Sequence, residues 1–213
     1  MSSDCYFAGR NEAARQLADK LLRYRGRNPL ILAIPRGAVP MGKIIADHLQ
    51  GELDVVLAHK LSAPYSPEYA IGAIAENGWS YITPDGELMR LNPTYVEEEK
   101  AEQLAKIKKR RAQYTPLRQP VNPAGRIVIV VDDGIATGAT MIAALHALRA
   151  HNPAELVCAV PVAAPDSLEK VTMLADTVVC LCAPNDFCAV GQFYADFPQV
   201  EDVEVERILA ASI

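Results

Sequence analysis

The sequence predicts an α/β protein in which a doubly wound, mostly parallel five-stranded sheet is flanked by helices. Three observations predict this fold. Five short apolar runs recur along the chain, helix-like stretches separate them, and this alternation is typical of βαβ units. The 213 residues, 50% of them apolar, are enough for one domain with a substantial core. We therefore expect a single domain over residues 1–213, with its core at about 11–182.

The apolar runs and the periodic segments between them define the core elements. The run at 29–34 (PLILAI) is continuous, as expected for a strand buried on both faces, and 53–59 (LDVVLAH) is the second predicted strand. The other predicted strands are 127–131, 155–162 and 177–182. Apolar residues at helical spacing predict helices over 11–24, 40–50, 138–150 and 165–175.

An insertion over about 70–125 interrupts this alternation. Residues 70–82 predict a hairpin because Asn77-Gly78 is a strong turn dipeptide. Residues 94–114 predict a long helix that opens with a capping box from Thr94 to Glu97, and its acidic residues precede its basic ones, as the helix dipole favours. A Pro-rich connector follows. Beyond the last strand, the aromatic-rich tail at about 183–213 is expected to form a hood over a site.

Composition and charge disfavour several classes of function. The net charge of −5 gives no general attraction for nucleic acid, so we interpret the basic run at 106–111 (KIKKRR) as a solvated helix face. No apolar run approaches the ~20 residues of a membrane span, and the N-terminus has no signal-peptide core, so we expect a cytoplasmic protein. The five cysteines show neither zinc-ligand spacing nor a paired framework, which favours buried thiols.

The stretch 128–141 (VIVVDDGIATGATM) carries the strongest functional signal. Asp132 and Asp133 follow a buried strand, and ligands of parallel α/β sheets bind beyond the carboxyl ends of the strands. The Gly- and Thr-rich turn that follows leads into a helix N-terminus, where free N–H groups and the helix dipole favour an anion. The residues that would surround this anion are Ala136, Thr137, Gly138, Ala139 and Thr140.

This stretch is neither a Walker A loop nor a dinucleotide fingerprint, because it lacks both Gly-Lys-Ser/Thr and G-x-G-x-x-G. Two carboxylates would repel a phosphate in the adjacent turn. They are explained if they face sugar hydroxyls, which donate hydrogen bonds, or a divalent metal ion. A phosphorylated sugar satisfies both halves of the motif, whereas an ordinary strand-to-helix turn with capping aspartates explains fewer of its features.

These residues closely resemble the signature of type I phosphoribosyltransferases, which bind 5-phosphoribosyl-1-diphosphate (PRPP). The resemblance extends to 32–42 (LAIPRGAVPMG), 60–78 (KLSAPYSPEYAIGAIAENG) and 187–200 (FCAVGQFYADFPQV), and it covers most of residues 5–205. These blocks are similar to stand-alone bacterial phosphoribosyltransferase-domain proteins of unassigned base substrate. The resemblance implies a cytoplasmic homodimer of the type I phosphoribosyltransferase fold that acts in nucleotide metabolism.

The resemblance assigns the PRPP-binding residues position by position. Asp132 and Asp133 would bind the ribose hydroxyls, and the turn at 136–140 would bind the 5-phosphate. The sequence Pro35-Arg36-Gly37 matches the family's pyrophosphate loop, which often carries a non-proline cis peptide, here expected at Pro35–Arg36, and Lys60 would be a further pyrophosphate contact. Mg²⁺ would be held mainly through PRPP, with Asp132 or Asp133 as the protein ligand if there is one.

The hood would cover the acceptor base. By resemblance, Phe187 would stack on the base, and the backbone near Val190 and Gly191 or the carboxylate of Asp196 would read its edge. Packing of the hood phenylalanines on the core is an equally good explanation for Phe187. A mobile lid is expected within 61–93, where Glu68 and Glu76 are weak acid–base candidates.

Two residues depart from the family pattern. His59 precedes Lys60 where family members carry Arg, and a neutral imidazole neutralises less pyrophosphate charge. Ala136 stands where 6-oxopurine phosphoribosyltransferases carry an aspartate credited as the general base. The sequence therefore favours a Mg²⁺-dependent phosphoribosyltransferase acting on a purine or pyrimidine base other than a 6-oxopurine. A non-catalytic sensor of PRPP or a nucleotide is the main alternative, and nucleic-acid binding is a third.

Overall fold

The computed structural model describes residues 5–212, except for the side chains of Pro67 and Glu68. The helices are Arg10–Lys20 (α1), Val39–Leu49 (α2), Pro84–Leu88 (α3), Pro93–Tyr114 (α4), Ala139–Arg149 (α5), Pro165–Thr172 (α6) and Asp202–Ala210 (α7). The strands are Leu30–Ala33 (β1), Glu52–Val55 (β2), Ala58–Ala63 (β3), Ser66–Ala75 (β4), Ser80–Ile82 (β5), Ile127–Val131 (β6), Glu155–Val162 (β7) and Thr177–Cys182 (β8). Short 3₁₀ helices span Leu22–Tyr24 and Val190–Phe193.

The main sheet has five parallel strands in the order β2-β1-β6-β7-β8, which confirms the predicted fold class. The chain winds from β1 outward to β2, and then from β6 outward to β7 and β8. The direction of winding therefore reverses between β1 and β6. In open α/β sheets such a reversal opens a crevice beyond the carboxyl ends of the two strands, where ligands bind.

Helices cover both faces of this sheet because its strands are apolar on both sides. In β6, Ile129 and Val131 pack with α1, α2 and α7 on one face. Val128 and Val130 pack with α5 and α6 on the other face. All five residues of β6 are buried, as the continuous apolar run predicts for a central parallel strand.

A second, smaller sheet changes the predicted strand pattern. Its order is β3-β4-β5, and both of its pairings are antiparallel. The predicted second strand at 53–59 is wrong in extent, because β2 ends at Val55 and β3 begins at Ala58. Lys60 therefore lies inside β3 rather than at the end of a core strand. The hairpin predicted over 70–82 is confirmed as β4–β5, and Gly78 adopts a positive φ of 86° in its turn.

The long inserted helix is confirmed as α4, and it packs against β3 and β4 of the small sheet. Its predicted capping box is wrong, because the N-cap is Asn92, whose side chain accepts a hydrogen bond from the backbone N–H of Thr94. The helix starts earlier because Pro93 is favoured in a first turn. Helices α3 and α7 were not predicted from the sequence.

The basic run at 106–111 does not form one continuous exposed patch. Ile107 is fully buried, and the Lys106 ammonium lies 2.7 Å from Glu102 Oε1. Arg111 forms hydrogen bonds with both carboxylate oxygens of Glu76, and its Nη1 lies 3.8 Å from the buried Asp54. The basic run is therefore part of a helix that packs on the small sheet and the core.

The cysteines differ in part from the expectation of buried thiols. Cys158 is a buried free thiol, as expected, whereas Cys188 is exposed. Cys5 and Cys182 form a disulfide with 5.7 Å between their Cα atoms. This bond joins the segment before α1 to the end of β8. Within residues 5–212, the structure contains no helix that is both long enough and apolar enough to cross a membrane.

Candidate active site

A cavity of about 480 Å³ lies beyond the carboxyl ends of the main strands, at the predicted crevice. Both carboxylates of the sequence motif and the whole turn after β6 line it. Further lining residues come from the loop after β1, from β3, from α4 and from the hood. The lining residues are Ile34, Pro35, Gly37, Ala58, His59, Lys60, Gln103, Asp132, Asp133, Gly134, Ile135, Ala136, Thr137, Gly138, Ala139, Thr140, Met141 and Val190.

The strand order arranges these residues along the edge of the sheet. His59 and Lys60 follow the β2 end, and Pro35 and Gly37 follow the β1 end. The aspartates and the turn follow β6, and the hood residue Val190 comes after β8 in the chain. We call the part of the cavity lined by His59 and Lys60 the Lys60 side, and the part lined by Val190, which lies against Gly134, the hood side.

The turn after β6 is built to hold an anion. Gly138 is the N-cap of α5 with φ of 80°, a conformation that side chains rarely adopt. The backbone N–H groups of Thr137 and Gly138 have no backbone partner in the described part of the chain. The Ser167 hydroxyl donates to the Ala136 carbonyl at 2.6 Å, which fixes the turn from outside. The N–H groups and the positive end of α5 together favour a phosphate.

The two aspartates differ in their surroundings. Oδ1 of Asp132 accepts the backbone N–H of Asp133 at 2.8 Å. Burial, and then the charge of Asp133, raise the pKa of the Asp132 carboxyl well above its ordinary range. Burial also raises the pKa of Asp133, but Arg10 opposes this effect. Asp132 therefore gains most from a cation or a hydroxyl donor that enters the cavity.

Arg10 is a site residue that the sequence did not reveal. Its Nε donates to Asp133 Oδ2 at 2.9 Å, and its Nη2 lies 2.8 Å from the same oxygen. Its Nη1 donates to the Pro198 carbonyl, and its guanidinium lies 3.8 Å from the centroid of the Phe197 ring. Arg10 therefore connects α1, the hood and the second aspartate of the motif.

Tyr194 is a second residue that sequence reasoning missed. Its hydroxyl donates to the Asp133 carbonyl at 2.6 Å, and its ring stacks on Phe197 with 4.7 Å between centroids. Burial raises the pKa of the Tyr194 phenol, so the hydroxyl keeps its proton and remains a donor. Nothing local in the sequence indicated either contact, since Arg10 and Tyr194 lie 123 and 61 positions from Asp133.

The loop after β1 carries the predicted cis peptide between Pro35 and Arg36. Gly37 approaches the second aspartate so closely that an added Cβ would lie 2.1 Å from Asp133 Oδ2. The Arg36 side chain, predicted to bind pyrophosphate, does not line the cavity. Its Nη1 lies 3.4 Å from Asp202 Oδ2 and 3.9 Å from Glu201 Oε2 at the start of α7. The acidic first turn of α7 draws this guanidinium away from the cavity.

On the Lys60 side, β3 and α4 meet at a hydrogen-bonded histidine. His59 Nδ1 lies 3.3 Å from Gln103 Oε1, and His59 Nε2 lies 3.1 Å from Arg110 Nη1. Burial lowers the pKa of His59, and the nearby cations Arg110 and Lys106 lower it further. The imidazole is therefore neutral at pH 7. Gln103 was not predicted as a site residue, because α4 was interpreted as an insertion with a solvated face.

Of the four predicted base contacts, only Val190 lines the cavity. Phe187 packs on Phe193 with 5.3 Å between ring centroids. Gly191 packs against the Phe197 ring. Asp196 is exposed, and its backbone N–H donates to the Ala8 carbonyl. The alternative explanation, that the phenylalanines pack the hood, therefore accounts for the observed contacts.

The weak acid–base candidates do not strengthen the site. Glu76 forms its ion pair with Arg111 at 2.7 Å and does not line the cavity. The side chain of Glu68 lies outside the described residues. Across the described residues, no group of three or more His, Cys, Asp or Glu side chains could hold a metal ion.

Comparisons with known proteins agree with this architecture. Residues 6–198 match the family model described as "Phosphoribosyl transferase domain". A crystal structure of TT1426 from Thermus thermophilus is 41% identical, covers 97% of this chain and 99% of that one, and superimposes with a TM-score of 0.81. The chain therefore belongs to the phosphoribosyl transferase domain family, as the resemblance of its sequence motifs implied.

Two curated relatives add detail. "Putative phosphoribosyl transferase Rv0571c" of Mycobacterium tuberculosis (strain H37Rv) is 39% identical over 206 residues, which are 95% of this chain and 46% of that protein. A "Ribose-phosphate pyrophosphokinase" of Streptomyces coelicolor is 28% identical over 148 residues, which are 63% of this chain and 45% of that protein. The chain thus spans about half the length of the curated relatives that it matches.

The Arg10–Asp133 ion pair should stabilise the fold. The two side chains are only 11% and 16% exposed, so Arg10→Met leaves a nearly buried carboxylate without its cation. We expect Arg10→Met to lower the free energy of unfolding by about 1–3 kcal/mol in urea titrations. The loss should shrink by more than half in an Asp133→Asn background. Arg15→Met, at an exposed site on the same helix, is the control, and equal losses in both backgrounds would contradict the pairing.

The neutral state of His59 predicts a pH dependence. Because burial lowers the pKa of His59, its NMR titration midpoint should lie below the ordinary histidine value of about 6.5. The unfolded chain then binds this proton more readily than the folded chain. Stability should therefore fall as the pH decreases below about 6.5 and through the lower folded pKa. His59→Gln assigns the resonance by removing it, and a midpoint above 6.5 would contradict the assigned environment.

Proposed function

We propose that the protein is a Mg²⁺-dependent phosphoribosyltransferase that binds PRPP and transfers its phosphoribosyl group to a nitrogenous base, with release of pyrophosphate. The observation that carries this proposal is the joint placement of two carboxylates and an anion-holding turn around one cavity. Membership in the phosphoribosyl transferase domain family supports it. Two relatives support it further, since one is named a putative phosphoribosyl transferase and the other a ribose-phosphate pyrophosphokinase.

The sugar phosphate would bind at the centre of the cavity. Its 5-phosphate would accept hydrogen bonds from the free N–H groups of Thr137 and Gly138, with the hydroxyls of Thr137 and Thr140 nearby. The ribose hydroxyls would donate to the carboxylate of Asp132. Asp133 would accept further hydrogen bonds from the ribose only through lone pairs that Arg10 does not already use, because two Arg10 nitrogens contact its Oδ2. Donated hydrogen bonds stabilise the ionised carboxylate, so a bound sugar would lower the raised pKa of Asp132.

The pyrophosphate would lie on the Lys60 side of the cavity. Lys60 would neutralise part of its charge, and the backbone N–H group of Gly37, which has no backbone partner among residues 5–212, would donate to one of its oxygens. The Arg36 side chain would contribute only after leaving Glu201 and Asp202. When bound, Mg²⁺ would neutralise the charge of the departing pyrophosphate, with Asp132 as the most available protein ligand.

The transfer would need little covalent help from the protein. Cleavage of the bond between C1 and pyrophosphate leaves an oxocarbenium-like sugar, and the nearby carboxylates of Asp132 and Asp133 stabilise that positive charge. The base would approach from the hood side, where Val190 lines the cavity, and the proton lost from its nitrogen would leave with the pyrophosphate. Roles for Phe187, Gly191 and Asp196 would require the hood to rearrange around the base.

The acceptor would be a purine or pyrimidine base other than a 6-oxopurine. Ala136 lines the cavity where a catalytic aspartate would be needed for 6-oxopurines, and its methyl group cannot accept a proton. Its resemblance to the family further suggests that the protein would form a homodimer and act in nucleotide metabolism. A mobile lid within 61–93 also remains a proposal. It would include β4 and the tip of the β3–β4 hairpin, where Tyr65 is fully exposed.

A second candidate function is a sensor that binds PRPP or a nucleotide without turnover. Two observations favour it. His59 is neutral and both its ring nitrogens have partners within the protein. The Arg36 guanidinium is paired with Glu201 and Asp202. The Lys60 side therefore presents one cationic side chain, among the described residues, to a leaving group that carries several negative charges, which suits binding better than rapid pyrophosphate release.

Binding of PRPP tests the premise that both functions share. Isothermal titration of the protein with PRPP in the presence of Mg²⁺ should give saturable binding. Asp132→Asn should weaken it by about tenfold or more, because a neutral amide loses the charge-assisted hydrogen bonds to the ribose. Asp166→Asn, in the first turn of α6 and outside the cavity, is the matched control. Absence of PRPP binding by the wild type would exclude both functions.

Turnover separates the enzyme from the sensor. Pyrophosphate release should be measured with PRPP and a panel of purine and pyrimidine bases. We expect release with at least one base that is not a 6-oxopurine, and a rate lowered at least about tenfold by Lys60→Ala, because the leaving charge loses its cation. Lys170→Ala, on α6, is the control. PRPP binding without release for any base would favour the sensor.

A further inference from the structure

A chain of hydrogen bonds runs from α4 into the Lys60 side of the cavity. Arg110 Nη1 lies 3.1 Å from His59 Nε2, and His59 Nδ1 lies 3.3 Å from Gln103 Oε1. Gln103 Nε2 donates to Glu99 Oε1 at 3.1 Å. The same Glu99 oxygen accepts the backbone N–H of Ser62 at 2.9 Å. We call this chain, from Arg110 through His59 and Gln103 to Glu99, the α4 relay.

The two charged ends of the α4 relay fix the direction of every bond in it. Arg110 can only donate, so His59 Nε2 must accept, and the proton of the neutral ring must lie on Nδ1. That proton is donated to Gln103 Oε1. Glu99, which is 9% exposed, can only accept when ionised, so the amide nitrogen of Gln103 must face it. The relay thus fixes both the tautomer of His59 and the orientation of the Gln103 amide.

This orientation leaves Gln103 with one available hydrogen. The amide nitrogen carries two hydrogens, and Glu99 is its only partner in the described part of the chain. The Gln103 side chain lines the cavity, whereas Glu99 and Arg110 do not. Among the described residues of α4, Gln103 is the only one that lines the cavity. Its second amide hydrogen is therefore available to a ligand there. His59 also lines the cavity, but both of its ring nitrogens are already used.

The position of Gln103 indicates which part of a substrate it would contact. It is hydrogen-bonded to His59, whose neighbour Lys60 is the only cationic side chain that lines the cavity among residues 5–212. The hood residue Val190 instead lies against Gly134, at the start of the turn after β6. Because consecutive residues of a strand point to opposite faces, Gln103 and Lys60 line the cavity from the two faces of β3. An anionic group that crosses the edge of β3 would therefore meet a directed neutral donor on one face and a cation on the other.

We propose that Gln103 is a substrate-contacting residue that donates its second Nε2 hydrogen to an oxygen of the diphosphate leaving group, and that the α4 relay positions it. This inference rests on the proposed function, since it assumes that PRPP occupies the cavity. It gives the α4 insertion a role in the reaction: α4 supplies a donor to the side of the cavity where His59 and the Arg36 side chain supply none.

Binding measurements on two variants test the proposal. Gln103→Glu keeps the shape but removes the donor, and Gln103→Leu removes the donor without adding charge. Titrations should use three ligands, each with Mg²⁺: inorganic pyrophosphate, PRPP and ribose 5-phosphate. We expect both variants to bind pyrophosphate and PRPP about tenfold more weakly, the loss typical of one hydrogen bond to a charged group. Ribose 5-phosphate, which lacks the leaving group, should bind both variants within about twofold of the wild type.

The control is Gln113→Glu, which makes the same change at an exposed position of α4 and should leave all three affinities unchanged. Arg110→Met tests the relay itself. It should weaken pyrophosphate binding by about threefold and leave the affinity for ribose 5-phosphate unchanged. Without Arg110 the Gln103 amide is no longer held in one orientation, so it donates to the ligand only part of the time.

The outcomes distinguish the inference from the proposed function. If the wild type binds neither PRPP nor ribose 5-phosphate, the proposed function fails. If it binds both, but Gln103→Leu binds pyrophosphate as tightly as the wild type, the inference alone is overturned, and a loss confined to Gln103→Glu then reflects added negative charge. Equal losses for pyrophosphate and ribose 5-phosphate also overturn it, because they indicate a distorted cavity rather than a lost leaving-group contact.

Discussion

The site depends on how two adjacent carboxylates are kept at the end of a buried strand. Asp132 and Asp133 follow β6, where the chain leaves the core, and removal from water penalises both charges. Arg10 compensates one of them from α1, and the hood supports Arg10 through Phe197 and the Pro198 carbonyl. The other carboxylate accepts a backbone N–H, and the rest of its compensation is left to a ligand. Asp133 and its partners therefore connect the N-terminal helix, the hood and the turn.

Hydrogen-bond donors and positive charge are distributed unequally around the cavity. The turn before α5 offers backbone N–H groups and a helix dipole to a phosphate, and these are permanent. The Lys60 side instead combines one lysine with a neutral histidine, while Arg36 is paired with the first turn of α7. The protein therefore compensates a phosphate at the turn more completely than an anionic group on the Lys60 side.

Local patterns allowed much of the fold and 11 of the 18 cavity-lining residues to be predicted. The continuous apolar run predicted β6, and the Gly- and Thr-rich turn after it predicted the start of α5, because both signals lie within neighbouring residues. The break between β2 and β3 was missed because Val56 and Leu57 are apolar and carry no turn signal. Arg10, Tyr194 and the Cys5–Cys182 bond join residues 61 to 177 positions apart, and no periodicity reports such contacts. Gln103 was missed because a helix surface rich in charge conceals one residue that faces inward.

The backbone of the N-terminal segment is hydrogen-bonded to the hood. Phe7 exchanges hydrogen bonds with the carbonyl of Phe193 and the N–H of Ala195, each at 2.8 Å, and Ala8 accepts from Asp196. Arg10, three residues after Phe7, continues this contact to Asp133. Residues 7–10 and the hood are therefore one structural unit. A hood replaced by itself would lose its backbone partners at Phe7 and Ala8 and its contacts with Arg10.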